Sequence, residues 1–290
     1  MSYELWILII GSLVGLSCGM IGCFLILRKM SMLADAISHT VLLGIVVAFL
    51  ISQSMNGIYM LIGAAVAGIV TTFIVQLLNS GGIQEDAAIG VVFTSLFALG
   101  VMLISLFASD VHLDVEHVLM GEIAFTPWDT VDIPFIGAIP KSIVMLGVIL
   151  FIDIMVIFLL FKEFKLTSFD PSMAAAIGIP VLLIHYILMG LVSVTTVSAF
   201  DSVGAILVVA LLIAPGATAY LLTDRFPVML VMSGVIGIFD ATVGYYFAKW
   251  VDVSISGSMA TAAGVVFLLV WIFSPHYGLV SKWFKQKAIE

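Results

Sequence analysis

The sequence predicts an all-α polytopic membrane protein of about nine transmembrane helices, and three observations lead there. The chain of 290 residues is 63% hydrophobic. Only 10% of its residues are charged, against about a quarter in an ordinary soluble domain. Its apolar residues also fall into long runs, giving a mean hydropathy of +1.29. So few charges cannot coat a soluble surface, which excludes a soluble enzyme, a nucleic-acid binder and a disordered regulator.

A helix needs about 20 apolar residues to cross a hydrocarbon core ~30 Å thick. Nine runs qualify: 5–27, 31–52, 58–78, 87–107, 143–161, 179–197, 202–222, 226–247 and 257–273. The first follows Met1-Ser2-Tyr3-Glu4, which lacks the basic region of a cleavable leader. It carries Gly11, Gly15 and Gly19 at four-residue spacing, then Gly22. Such a ridge without side chains lets another helix approach closely, and is expected to serve packing. Cys18 and Cys23 share no helix face and have no CxxC spacing, so small core residues are expected, not a disulfide or a metal site.

The second run holds Asp35 and His39, which one helix face would present together. Counting ~1.5 Å per residue from Lys29 places them ~9 and ~15 Å into the membrane. Ionisable groups at that depth cost ~2.5–3.5 kcal/mol each and mark functional sites by default. A carboxylate with an imidazole can ligate a divalent cation. The same pair can also hydrogen-bond to itself and lock two helices together, and from the residues alone both readings stand. Two side chains do not complete a metal shell, so another span, water or a second copy of the chain must supply the rest.

Asp153 and Asp240 fall near the centres of the fifth and eighth runs, and His185 in the sixth. Each lacks a same-face acid or imidazole, and helix-to-helix hydrogen bonding is expected of them. Asp201 precedes an apolar run and reads as a helix cap. Segment 108–142 is an acidic loop carrying His112 and His117. Within 165–178 a short helix is expected, started by Asp170-Pro171 and stopped by Gly178-Ile179-Pro180.

Basic residues set the orientation. With the N-terminus outside and the C-terminus in the cytoplasm, Arg28, Lys29, Lys162, Lys165, Arg225, Lys282, Lys285 and Lys287 fall inside, and only Lys141 and Lys249 outside. The 108–142 loop is then external and the 165–178 helix cytoplasmic. The chain has no GxxxxGK[ST] phosphate loop, HExxH or GxSxG motif. ATP-driven work would therefore need a partner, and the 165–178 helix is the natural contact.

Four segments in order carry a resemblance. They are Leu27-Arg28-Lys29-Met30-Ser31 leading into Asp35-Ala36-Ile37-Ser38-His39; Glu85-Asp86-Ala87-Ala88-Ile89-Gly90 through Ser95; 203–219 with Ala214-Pro215-Gly216; and Phe273-Ser274-Pro275-His276-Tyr277-Gly278-Leu279. Together they resemble the permease subunits of bacterial ABC importers for manganese, zinc and iron, over most of the chain. The resemblance implies one transmembrane permease domain over 1–290, in the bacterial plasma membrane. It implies an identical or related second permease chain, two copies of a separate ATP-binding subunit and an extracellular solute-binding lipoprotein. No permanently bound cofactor is implied; the cargo is a transported divalent metal.

In that family the metal ligands correspond to Asp35 and His39. The ATPase-coupling helix corresponds to Asp170, Pro171, Ala174, Ala175 and Gly178. Ser38-His39 is more similar to the manganese members than to the zinc ones, while Thr40 stands where alanine is expected. Two rivals from other classes are an ion-coupled secondary transporter using Asp35, Asp153 and Asp240, and a membrane-embedded enzyme built on Asp35 and His39. The first lacks detectable inverted repeats, the second a nucleophile constellation.

Overall fold

A computed structural model describes residues 3–53, 57–107, 123–133, 137–274 and 278. Among them are nine helices long and apolar enough to cross a membrane. The first four are α1 (Tyr3–Leu27), α2 (Ser31–Ser52), α3 (Gly57–Ser80) and α4 (Glu85–Phe107). After a hairpin come α5 (Lys141–Leu159) and two short helices, α6 (Phe161–Phe169) and α7 (Pro171–Ala176). The chain continues through α8 (Val181–Val203), α9 (Ala205–Leu222), α10 (Phe226–Val251) and α11 (Ile255–Phe273).

Small residues let the inner helices approach one another, as the sequence predicts. A Cβ added to Gly15 would lie 2.4 Å from the Gly237 carbonyl oxygen, and one on Gly237 2.2 Å from that of Gly15. At Gly22 it would stand 1.7 Å from the Leu212 carbonyl oxygen. The glycine ridge of α1 thus seats against α10 and α9, where the Ser233 hydroxyl also donates to the Gly19 carbonyl at 2.6 Å. In lipid, where apolar burial cannot draw helices together, this close van der Waals contact holds the bundle. Cys18 and Cys23 are free and buried. Gly44 and Gly63 bring α2 and α3 together in the same way.

The contacts sort the bundle into two ends. One gathers the end of α1, α6 and the starts of α8 and α10. There Phe24 packs on Phe164 and Phe226, with ring centroids 5.4 and 5.2 Å apart, and Arg28 reaches α6 and α8. The opposite end ties the Tyr3 hydroxyl to the Ala124 carbonyl, Glu4 to Lys249 and Thr126 to the Ser202 carbonyl. Arg28, Lys29, Lys162, Lys165 and Arg225 thereby share an end, and Lys141 and Lys249 share the other.

Several expectations are corrected. Asp201 does not cap a helix: α8 runs through it to Val203, and the break falls at Gly204, whose φ of 83° interrupts the helix. The N-cap of α9 is Gly204, with no side-chain cap. The helix expected to start at Asp170-Pro171 forms as α7, and ahead of it, across the backbone break at Asp170, stands α6, which the sequence reading does not foresee. In the acidic loop, β1 (Thr130–Ile133) pairs antiparallel with β2 (Gly137–Pro140), a hairpin the sequence reading does not foresee. Asp110, His112, Asp114, Glu116, His117 and Glu122 lie outside the described residues.

Candidate functional site

Asp35 and His39 occupy the first turns of α2, immediately after the tight α1–α2 turn. The i, i+4 spacing brings Asp35 Oδ1 to 3.7 Å from His39 Nε2. That exceeds a hydrogen bond, so each keeps polar atoms free for a third partner. The side chains are 43% and 35% exposed, respectively, while Ala34, Ala36, Ile37, Ser38 and Thr40 around them are buried. The pair sits on the strip of α2 that its own chain leaves partly open. One wall is aromatic: the imidazole stacks on Phe93, centroids 5.5 Å apart, and meets Phe97 edge-on at 5.9 Å, both from α4. Ser38 turns inward and donates to the Asp35 carbonyl at 2.6 Å. Among the described residues, no three His, Cys, Asp or Glu side chains converge as a metal-sized cluster.

Thr40 does not touch this strip. It is buried against α3, where the Thr71 hydroxyl lies 2.8 Å from its own. The Thr40 hydroxyl therefore serves α2–α3 packing.

The second predicted site is α7. Asp170 caps it, its Oδ1 accepting from the Ser172 hydroxyl at 2.6 Å and the Met173 N–H at 2.9 Å. These bonds, the Ser172 one foremost, hold the exposed carboxyl below its ordinary range. Pro171 fills the first turn, where its missing N–H costs nothing. Gly178, at φ 89°, closes the helix while Ile179 N–H reaches back to the Ala174 carbonyl at 3.0 Å. Pro171, Met173, Ala175 and Ile177 are exposed. Ala174, by contrast, is fully buried against its own chain. One small residue in three successive alanines faces inward because a six-residue helix lying on a surface must bury one side.

The remaining ionisable groups are dispersed. The Asp153 carboxylate on α5 accepts from the Thr195 hydroxyl on α8 at 2.9 Å and is fully buried, a helix-to-helix bond of the kind expected. Asp240 on α10 is also buried, but neither carboxylate oxygen has a partner among the described residues. His185 faces Arg28 at 3.4 Å. None of the three joins Asp35 and His39 in a cluster among the described residues.

The model of the ABC 3 transport family matches residues 2–274. The chain belongs to this family. It is 59% identical to the manganese transport system membrane protein MntD of Bacillus subtilis, over 97% of this chain and 96% of that protein. It is 43% identical to the zinc transport system membrane protein TroD of Treponema pallidum, over 98% of this chain and 77% of that one. In three dimensions it is similar to PsaBC from Streptococcus pneumoniae solved in complex with Fab: TM-score 0.79, 31% identity, 99% of this chain and 96% of that one covered.

This ABC 3 chain is accordingly a permease subunit of an ABC transporter, a multi-pass protein of the bacterial plasma membrane. It is not itself the enzyme, since ATP hydrolysis belongs to a separate subunit. Sequence reasoning missed three features of the permease: the aromatic Phe93–Phe97 wall, the Thr40–Thr71 contact and the set around Arg28. The first had a signal, because phenylalanines four apart share a helix face. The other two join residues far apart in sequence and had none.

Proposed function

We propose that this permease carries a divalent transition-metal ion, manganese foremost, into the cytoplasm, with Asp35 and His39 as its ligands along the path. The observation that carries the reading is the open strip of α2. An acid and an imidazole stand there 3.7 Å apart, within ion-pair range but beyond a hydrogen bond, on a face their own chain leaves partly open. Such a face cannot be left to lipid, because ionisable groups in spans turn to protein or to water. A second copy of the chain, apposed along α2 and α4, would supply another aspartate and histidine. Two carboxylates would then neutralise the dication, with waters filling the roughly six-coordinate O/N shell that manganese(II) favours.

Carboxylate hardness and the likeness to MntD both favour manganese. Zinc is the second reading, supported by the likeness to TroD, and binds O/N sites more tightly than manganese in general. The end carrying Arg28, Lys162, Lys165 and Arg225 would face the cytoplasm. There the exposed side of α7 would dock on the ATP-binding subunits, two copies per permease pair, while the hairpin end would receive metal from an external solute-binding lipoprotein. The test is accumulation of manganese, zinc and iron, assayed in parallel, in cells carrying the wild type or Asp35→Ala. Manganese uptake that depends on Asp35 supports the reading. A defect confined to zinc or iron would transfer the assignment to that metal.

A further inference from the structure

Arg28 is the cation at the end of α1, and its fork is occupied by neutral partners from two other helices. Nε donates to Ser168 Oγ at 3.0 Å and Nη2 to Thr167 Oγ1 at 2.9 Å, both on α6. Nη1 faces His185 Nδ1 on α8 at 3.4 Å. No carboxylate among the described residues lies within ion-pair distance of it. Burial pulls its guanidinium down to about 10, which leaves it charged at neutral pH.

The residues around this fork form a short chain of rigid links. Ser168 is two positions before Asp170, the cap of α7. On the other side, Arg28 opens the α1–α2 turn, in which Lys29 is held at φ 61°. A side chain other than glycine adopts that conformation at a cost, and surrounding contacts must enforce it. Met30 N–H reaches back to the Leu25 carbonyl at 2.9 Å and fixes the turn. Asp35 follows in the second turn of α2, which starts at Ser31. Phe24 against Phe164 and Phe226 clamps the same junction from the apolar side.

We infer that Arg28 is a positioning residue that couples displacement of the α6–α7 segment to the angle of α2, and hence to the Asp35–His39 pair. The inference rests on the proposed roles of α7 and of that pair. Hydrogen bonds to two hydroxyls and an imidazole are directional, yet weaker than a buried ion pair. They suit a joint that must hold one geometry and then exchange partners. A lysine keeps the charge but cannot reach three acceptors in a fixed fork, so Arg28→Lys separates geometry from charge.

The experiment uses the assembled complex, permease with its ATP-binding subunits, in proteoliposomes supplied with manganese(II) chloride, and reads manganese moved per ATP hydrolysed. Arg28→Lys should lower that ratio at least about fivefold, with complex yield and hydrolysis close to wild type. Ser168→Ala should lower it in the same direction by less, and it carries the test if Arg28→Lys fails to assemble. A wild-type ratio in these variants, or uptake and hydrolysis falling in proportion, would overturn the inference. Manganese(II) electron paramagnetic resonance keeps the two readings apart. The bound-ion spectrum should survive Arg28→Lys and vanish in Asp35→Asn; a spectrum that survives Asp35→Asn would refute the ligand assignment whatever the Arg28 result.

Discussion

Two ionisable sites in the spans of this permease have opposite surroundings. Asp153, midway along α5, is sealed inside the bundle and accepts a 2.9 Å hydrogen bond from Thr195 of the neighbouring α8. Asp35, on α2, is 43% exposed and stops 3.7 Å short of His39. One carboxylate is covered by the bundle and uses one oxygen, Oδ2, to hold two helices together, while its Oδ1 has no partner among the described residues; the other is left partly open. Polarity inside a membrane does not by itself distinguish packing from transport; on the reading proposed above, what separates the two is whether the chain covers the group. The same division recurs between Ala174, buried, and Ala175, exposed, on α7, and between Thr40, buried against α3, and His39 on the adjacent strip.

Each contrast can be broken by mutation. The largest effect is expected at His39, where alanine removes the nitrogen ligand. Loss of a group that merely orients a ligand costs ~10–100-fold in metal affinity, so His39→Ala should reduce manganese uptake at least about a hundredfold at unchanged membrane abundance. Uptake within a few fold of wild type would place His39 among the packing residues.

On α7, Ala175→Glu should abolish co-purification with the ATP-binding subunit while leaving the spans inserted, because a charged side chain would fill the exposed surface left by a methyl group. A complex that still assembles and transports would move the docking surface elsewhere. Ala174→Glu should instead disturb the permease itself, visible as lowered thermal stability in detergent, since that side chain has no room outward. The smallest effect belongs to Thr40→Ala. It removes one interhelical hydroxyl contact, of the order of 0.6 kcal/mol in membrane proteins, and should leave metal selectivity unchanged in a manganese–zinc competition assay.

The spans were legible because a helix must be apolar over its full crossing length, and that signal is long. Their ends were less so. Asp201 looked like a cap because polarity precedes an apolar run there, but the helix continues until Gly204 supplies a backbone conformation that stops it. The hairpin at Thr130–Ile133 and Gly137–Pro140 consists of two four-residue strands, too short for an alternating pattern to stand out. The Asp35–His39 pair was visible from i, i+4 spacing alone. What covers each residue was not, because Phe93, Thr195 and Thr71 meet their partners across helices 31 to 54 positions away in sequence. Alanine at three consecutive positions of α7 likewise carries no mark of which one faces inward.

The central claim is that an open carboxylate handles the cargo and a closed, hydrogen-bonded one holds the bundle. The most direct test compares initial rates of manganese uptake for Asp35→Asn and Asp153→Asn at equal membrane abundance. Both substitutions keep size and hydrogen-bonding capacity and remove only the charge. Asp35→Asn should lose uptake, and Asp153→Asn, with its amide oxygen still able to accept from Thr195, should transport at close to the wild-type rate. Near-normal uptake by Asp35→Asn, or equal loss in both, would contradict the account.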